Sequence, residues 1–234
     1  MRKRSWLRGL PILVLCCLLL IPYSASAQLL AGVHLGYGGT TYSQVLGEKG
    51  LKNSEWSAGI WANYHHEELL FTGLYHGSLG LEDTDISRHL AHIGANYRFL
   101  EEDALQVYGG LGYQVVSTRF QIPEIRTGDR NTLTGHGFAG QVVVDIGITE
   151  EVHTSAMVMA SPWAKWSHGT DTSTDHDIGS GSAFLYRLEV SYEFSTDFGA
   201  HLSLVGNNFS IKGDSSINTR SNSASINLGV TRRF

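Results

Sequence analysis

The sequence predicts an all-β fold, a closed antiparallel up-and-down transmembrane β-barrel of ten strands, with eight strands as the alternative count. Three observations predict it. Residues 28–234 divide into segments in which apolar and polar residues alternate, short acidic turns alternate with longer polar loops, and the chain ends on an alternating strand without a polar tail. A period of two gives a strand one apolar and one polar face. A sheet whose last strand pairs with its first leaves no open edge.

The alternation is clearest in the eighth segment, from Phe184 to Phe194. Every second residue there is apolar, and polar or charged residues lie mostly between them. The seventh segment is the least regular, and Pro162 predicts its end, because proline cannot donate to a strand ladder. If the seventh or the ninth segment is not a strand, the count falls to eight. In chain order, the ten predicted strands are 31–39, 56–64, 71–79, 91–99, 105–115, 138–148, 152–163, 184–194, 198–210 and 224–234.

The connections between the segments differ systematically in length. Short turns lie at Glu67, Glu101, Glu150 and Asp197, and the connections between them are mostly longer. Short periplasmic turns and longer extracellular loops are typical of outer-membrane barrels. An even number of strands then predicts both termini in the periplasm and the barrel in the cell outer membrane.

Aromatic residues cluster at two depths along the predicted strands, one near the short turns and one near the long loops. Two such belts are expected where a barrel crosses the two membrane interfaces. The predicted aromatic girdle consists of Tyr64, Tyr97, Phe99, Tyr192, Phe194 and Phe198 near the turns, and Trp56, Phe138, Trp163 and Phe184 near the loops.

Residues 1–27 have the pattern of a secretory signal peptide. A basic start is followed by the apolar run 10–21 and by small residues at 25–27. The run is too short for a helix that spans a bilayer, which needs roughly 20 residues, although a short membrane anchor is the alternative. The remaining residues, 28–234, are predicted to form one domain. Both cysteines, Cys16 and Cys17, fall in the predicted signal, which excludes disulfides and thiol catalysis from the rest of the chain.

The charge of the predicted mature chain argues against nucleic acid as a partner. Four of the 17 basic residues lie in residues 1–27, which leaves 13 against 22 acidic residues and a formal net charge of −9. Nucleic-acid binding depends on an excess of positive charge that neutralises phosphates.

The last strand, 224–234, resembles the C-terminal strand of Gram-negative outer-membrane barrels. In that class a final phenylalanine belongs to the signal that the assembly machinery reads, and Phe234 matches it. Arg232 departs from the pattern, because the in-phase position is usually apolar or aromatic. The resemblance implies outer-membrane lipid, lipopolysaccharide, the barrel-assembly machinery and periplasmic chaperones as partners. It names no loop partner.

A set of charged residues falls on the predicted inward face and would form a polar network in the lumen. Two interpretations remain open: a rigid, side-chain-filled polar lumen, or a narrow porin-like channel for small solutes or ions. Barrels of about eight strands are filled by side chains, whereas porins need about sixteen strands, which favours the filled lumen. The predicted network comprises Arg98, Asp145, Arg187, Glu189, Glu193 and Arg233.

Several histidines, among them His34, His92 and His201, also fall on the inward face. Their spacing matches no known zinc or iron motif, and residues 28–234 contain no cysteine. We therefore expect hydrogen-bonding histidines, with no bound metal and no cofactor.

Two loops carry the residues of an enzymatic alternative. Asp83 and Asp85 lie in one loop, and Asp175 and His176 lie in another. This looks like the omptin proteases, ten-stranded barrels with Asp-x-Asp on one loop and Asp-x-His on another, in which such groups activate a water. Asp175 and His176 are adjacent and so depart from that spacing. The expected function is structural or surface-interaction, with a channel and an omptin-like protease as alternatives.

Overall fold

The computed structural model describes residues 28–45, 48–81, 86–121, 130–173, 176–211 and 218–234. The predicted signal peptide lies outside the described residues. Within the described part of the chain, no helix is long and apolar enough to cross a membrane. The described residues form ten strands: β1 (Gln28–Val45), β2 (Glu48–His66), β3 (Leu69–Gly80), β4 (Ser87–Glu102), β5 (Leu105–Phe120), β6 (Asn131–Gly147), β7 (Val152–Thr170), β8 (His176–Glu193), β9 (Phe198–Ile211) and β10 (Thr219–Arg233).

The ten strands form a closed antiparallel barrel in which each strand pairs with its neighbours in sequence. The ring closes where β1 pairs with β10, with Tyr37 opposite Ile226. Beyond the last ladder position, the Phe234 amide donates to the Leu29 carbonyl oxygen at 2.9 Å. The predicted fold class is confirmed, with ten strands rather than eight.

Apolar side chains cover the outside of the barrel in a continuous band. On β8, Leu188 is 46% exposed, whereas Leu185, on the other face, is 0% exposed. The distance along β8 from Phe184 to Phe194 corresponds to about 25 Å of depth at a strand tilt of about 40°, which fits the apolar band of outer-membrane barrels. All ten residues of the predicted girdle are exposed on this surface.

The strands extend further toward the loops than the sequence predicted. β2 begins at Glu48 and not at Trp56, β7 continues to Thr170, and β8 begins at His176. A strand needs about 9–11 residues to cross a bilayer, so the 19 residues of β2 continue well beyond it. On β1, which pairs with this part of β2, the two faces exchange their polarity. The polar Thr41 and Ser43 face outward, while the aromatic Tyr42 is buried inside.

The prediction that the seventh strand ends at about Trp163, just after Pro162, was wrong, because β7 continues to Thr170. The pairing of β7 with β8 shifts register between Ser161 and Ala164, so the proline occupies an irregular position without interrupting the strand. Opposite it, β6 loses pairing with β7 between His136 and Gly140. The Ser161 hydroxyl donates to the carbonyl oxygen of Phe138 at 2.7 Å and replaces part of the missing ladder. A bulge is a position where a strand tolerates proline.

Candidate functional site: the filled lumen

The inward side chains fill the lumen in successive layers. We call the end where β1 begins and β10 ends the lower end, and the opposite end the upper end. The layers differ in chemistry: aromatic rings meet in the upper lumen, buried ion pairs lie near these rings and in the middle, and partly exposed charges lie at the lower end.

Four aromatic rings from four different strands meet across the upper lumen, and we call them the aromatic plug. They are Tyr42 on β1, Phe120 on β5, Trp166 on β7 and Phe209 on β9, and all are buried. Ring centroids lie 6.1 Å apart for Tyr42 and Phe120, 6.4 Å for Tyr42 and Phe209, and 4.5 Å for Trp166 and Phe209. Aromatic pairs at such separations pack favourably. The plug therefore joins four strands across the upper lumen through ring contacts.

A buried ion pair lies among inward residues near the plug. The Arg88 Nη2 is 3.2 Å from the Glu55 Oε2, and both side chains are almost completely enclosed. The Ser78 hydroxyl donates to the same carboxylate oxygen at 2.6 Å. These residues come from β4, β2 and β3, so the pair joins three adjacent strands from the inside. A buried charge persists only when it is paired and hydrogen-bonded, as here.

A second buried ion pair occupies the middle of the lumen, and we call its surroundings the central cluster. The Arg187 guanidinium carbon lies 3.7 Å from the centroid of the Trp61 ring, and the guanidinium donates to Glu189. His201 contacts the same carboxylate, with 3.7 Å between Nε2 and Oε2. Arginine over an indole face combines cation–π attraction with its ion pair. Since Trp61 is on β2 and Arg187 on β8, this contact crosses the lumen.

Histidines continue the central cluster toward β1, β3 and β10. The His34 Nε2 and His76 Nδ1 are 3.1 Å apart, and the His76 Nε2 is 3.2 Å from the Ser225 hydroxyl. The Ser57 hydroxyl donates to the Asn227 side-chain oxygen at 2.8 Å. Neutral histidine both donates and accepts, so a chain of such bonds is possible without charge. In the part of the chain that the structure describes, no group of three potential metal ligands comes together.

At the lower end the charged residues lie close to the short turns. The Arg233 guanidinium donates to Glu193, and the His153 Nε2 is 3.6 Å from the same carboxylate. Arg98 pairs with Glu101 at 3.0 Å, at the end of its own strand. These groups are partly exposed to solvent, and such pairs contribute little to stability.

The six residues of the predicted network thus lie in different places. Arg187 and Glu189 form the centre of the lumen, Glu193 and Arg233 pair at its lower mouth, and Arg98 pairs with a turn residue. The remaining member, Asp145, is half-buried on β6, where it is opposite Ser155 on β7.

Sequence reasoning missed the buried pair of Glu55 and Arg88 and the aromatic plug. The ion pair and three of the four plug rings lie in strand extensions that the sequence assigned to loops, whereas Phe209 lies within the predicted ninth strand. The alternation of side chains along β2 could have revealed Glu55. It comes one residue before the outward Trp56, so its side chain faces inward once β2 is extended to include it. The polar network that the sequence predicted shares the lumen with an apolar cluster, in which Leu133 and Leu185 are fully buried together with the plug rings.

The residues of the enzymatic alternative are only partly described. Asp83, Asp85 and Asp175 lie outside the described residues. His176 is the first residue of β8, pairs with His168 on β7, and is exposed. β3, which precedes the first predicted pair, and β8, which begins at His176, belong to opposite walls of the ten-stranded ring.

Comparison with known proteins supports the architecture. No protein-family model matches the chain, and no curated protein matches it. Among solved structures, the outer membrane protease OmpT from Escherichia coli has a TM-score of 0.60 at 9% identity, covering 92% of this chain and 99% of that chain. The fold is that of an outer-membrane β-barrel.

Other outer-membrane barrels are similar at lower scores. The translocator domain of the autotransporter NalP from Neisseria meningitidis has a TM-score of 0.47 at 11% identity, covering 98% of this chain and 95% of that chain. Neisserial surface protein A has a TM-score of 0.42 at 14% identity, covering 91% and 100%. At these identities the likeness of this barrel to its neighbours concerns the fold alone.

Proposed function

We propose that this outer-membrane barrel is a non-conducting scaffold with a structural or surface-interaction role, in which a rigid wall presents its loops outside the cell. The observation that carries the proposal is the aromatic plug of Tyr42, Phe120, Trp166 and Phe209, whose rings come from four strands and meet across the lumen. Below the plug, the contact between Arg187 on β8 and Trp61 on β2 spans the lumen at a second level. Two filled layers leave the upper loops as the part that meets other molecules.

A channel function is disfavoured by the same layers. An ion that passes the plug would lose its hydration shell among apolar rings, which costs many kcal/mol. Further down, the paired charges of Arg187 and Glu189 already satisfy each other and offer no open ring of like charge, which selective pores use.

The proposed orientation places both termini and the short turns in the periplasm and the strand extensions outside. The long polar connections support it, since outer-membrane barrels keep short turns in the periplasm. In this orientation the partners are lipopolysaccharide around the wall and, during biogenesis, periplasmic chaperones and the barrel-assembly machinery. A tag inserted at residues 122–129 would be labelled on intact cells, and labelling only after lysis would contradict the orientation. N-terminal sequencing of the protein from outer membranes is expected to begin at Gln28, after removal of the signal peptide.

Conductance in planar bilayers tests the scaffold proposal. The wild-type barrel is expected to give no discrete current steps at any voltage. The control is a variant with Trp61→Ala, Trp166→Ala and Phe209→Ala, which removes the largest rings at two levels and is expected to conduct. Discrete steps from the wild-type protein at the size expected for single barrels would contradict the proposal.

One observation favours peptide hydrolysis as a second candidate function. The strands next to the two predicted pairs, β3 and β8, lie on opposite walls of the ring, and β8 begins at His176, eight residues before the apolar stripe that starts at Phe184. Carboxylates of Asp83 and Asp85 facing His176 across the mouth would activate a water, as in the omptin-type arrangement. Cleavage of a peptide library by the purified protein, abolished by Asp83→Ala, would support this candidate. No cleavage above the level of the Asp83→Ala variant would remove it.

A further inference from the structure

The outer wall of the barrel carries an apolar groove of about 490 Å³ that the scaffold proposal does not use. It crosses β2, β3, β4 and β5 within the apolar band. Small residues form its floor and large ones its walls, and almost all of its surface is apolar. The floor includes Ala62, Gly73 and Ala91, and the walls include Tyr75, Ile93 and Tyr113.

The strand register explains why a groove forms here. Gly73 lies between Ala62 on β2 and Ile93 on β4, and Ala91 lies beside Tyr75 on β3. Paired residues on one face of a sheet are neighbours. The row Ala62–Gly73–Ile93 therefore has a gap at Gly73 beside Ile93, and the row Tyr75–Ala91 has a gap at Ala91 beside Tyr75. The gaps in the two rows join into one depression, which is open to the lipid.

Two tyrosine–histidine pairs lie at the upper end of this groove, on the outer surface. The Tyr75 hydroxyl is 2.7 Å from the His89 Nδ1, and the Tyr113 hydroxyl is 2.6 Å from the His136 Nδ1. Both histidines are exposed. With each tyrosine donating to Nδ1, each imidazole carries its proton on Nε2 and presents a donor to the surroundings. Two outward donors at the head of an apolar groove suit an anionic headgroup.

The charges around the head of the groove agree with an anionic ligand. Among the described outward residues at this level of β3 to β6, none is acidic. Arg119 lies further up on β5 and pairs with Asp171, which follows β7. The four residue steps from His89 to Ile93, where the groove ends on β4, span about 13 Å along the strand, or about 10 Å of depth at a tilt of about 40°. That depth is less than half of a hydrocarbon core of about 30 Å, so the groove and its head fit within one leaflet.

We propose that the groove binds one lipopolysaccharide molecule, with an acyl chain over Gly73 and Ala91 and a headgroup phosphate at His89 and His136. The assignment to lipopolysaccharide rests on the proposed orientation, because the head of the groove must face the outer leaflet. Phosphate accepts hydrogen bonds from both imidazoles, while the tyrosine hydroxyls fix their rings. The hydrocarbon chain replaces loosely packed lipid against the small residues and gains contact area.

A matched pair of glycine variants tests whether the groove seats the lipid. A side chain added at Gly73 would meet only the His92 carbonyl oxygen, at 4.0 Å, and one added at Gly140 would meet nothing within 4 Å. Both glycines face the lipid, but only Gly73 lies in the groove. Full-length protein is expressed in a Gram-negative host, purified from outer membranes in mild detergent, and analysed by native mass spectrometry. We expect one lipopolysaccharide per barrel, retained at least fivefold less in Gly73→Leu and unchanged in Gly140→Leu. Equal retention in the two variants would overturn the proposal.

A second pair of variants tests the headgroup contacts. Tyr75→Phe with Tyr113→Phe removes the hydroxyls that orient the two histidines and leaves the groove apolar. Tyr37→Phe removes a hydroxyl at a similar depth on β1, where the tyrosine ring contacts Trp56 at 5.6 Å. We expect a several-fold loss of retained lipopolysaccharide in the double variant and none in Tyr37→Phe. No loss in the double variant would overturn the headgroup assignment.

The occupant and the orientation are tested separately. Purified lipopolysaccharide and phosphatidylglycerol are added to delipidated protein in parallel, and preferential binding of lipopolysaccharide is expected. Equal binding of phosphatidylglycerol would overturn the choice of lipid, and a protein dimer that disappears in Gly73→Leu would indicate a second copy of the chain instead. Binding in detergent does not depend on orientation in cells. A wrong orientation would therefore be detected by the cell-labelling experiment, whereas a groove that does not bind lipid would be detected by the binding measurements in detergent.

Discussion

Arg187 is held in the middle of the barrel by Trp61 on one side and Glu189 on the other. Removing one partner of a buried pair leaves an uncompensated charge, which costs about 3–5 kcal/mol, whereas replacing both partners with apolar groups is often nearly neutral. The contribution of this pair to the free energy of unfolding therefore depends on both partners, since each buried charge is tolerated only when the other is present. His201 is a second neighbour of the same carboxylate, with 3.7 Å between its Nε2 and the Glu189 Oε2.

Arg187→Met is accordingly expected to destabilise the barrel by about 3 kcal/mol or more. The double variant Arg187→Met with Glu189→Leu is expected to recover most of that loss. Equilibrium unfolding in guanidinium, with the protein in lipid vesicles, measures both free energies. A double variant that is less stable than the single one would show that the pair contributes net stability and that this explanation is wrong.

Arg232 explains how a residue that breaks a sequence pattern is accommodated. The pattern for terminal strands expects an apolar side chain there, but the guanidinium carbon lies 5.5 Å from the Phe198 ring centroid and 4.6 Å from that of Phe234. Arginine can cover an aromatic face while its charge stays near the interface. The role of Phe234 in assembly stays a prediction.

At the scale of the strand, β8 shows both arrangements of polar and apolar faces that occur in this barrel. From Phe184 to Phe194 its outward residues are apolar, and above Phe184 the outward Ser182 is polar while the inward Ala183 is buried. The strand therefore passes from a lipid environment, with apolar residues outside, to an aqueous one, with apolar residues inside. The change marks the upper edge of the membrane.

Charged substitutions on the two sides of this edge are expected to differ. Leu188→Arg places a charge on the outward face near mid-membrane and should cost about 2–4 kcal/mol, while Ser182→Arg, nearer the interface, should cost about 0–1 kcal/mol. Unfolding titrations in vesicles of one lipid composition would give both values. Equal costs at the two positions would place the edge of the apolar band elsewhere.

The alternation predicted which segments are strands but not where they end. It succeeded between the aromatic belts, where every outward residue must suit lipid, as in 184–194. It failed at 48–55 and 164–170, because a strand above the bilayer no longer needs apolar residues outside, so its pattern resembles a polar loop. Pro162 added to the error, since sequence does not show that a bulge will place a proline at an irregular position.

The contents of the lumen were predictable by face but not by partner. Phase alone placed Arg187, Glu189 and His201 inside. Whether Arg187 meets Trp61 depends on the stagger of ten strands around the ring, which brings β2 and β8 residues to the same height. No pattern within one strand contains that information. For the same reason, the four rings of the plug were not recognised as one cluster.

At the scale of the whole molecule, closure of the ring depends on close approach between β1 and β10. A side chain added at Gly38 would meet the Ala224 carbonyl oxygen at 2.1 Å and the Ser225 Cα at 2.5 Å. These are backbone atoms, which cannot move aside without opening the seam. Gly38 lies within the β1–β10 ladder, which runs from the pair Leu30–Arg233 to the pair Gln44–Arg220.

Gly38→Val is therefore expected to prevent closure and to reduce sharply the yield of folded barrel. Gly140→Val is the control, because a Cβ there meets nothing within 4 Å. The folded fraction can be read from the mobility difference between heated and unheated samples on a denaturing gel. Normal folding of Gly38→Val would mean that the seam between β1 and β10 is not formed as described.

The central claim is that apolar side chains face lipid and that the alternate residues face a filled interior. Residues 28–234 contain no native cysteine, so single spin labels can be attached at each position from 186 to 193 in vesicles. Collision rates with dissolved oxygen, which concentrates in the hydrocarbon core, should be high at residues 186, 188, 190 and 192 and low at the residues between them. Rates of the opposite phase, or rates without a period of two, would contradict this account of the barrel.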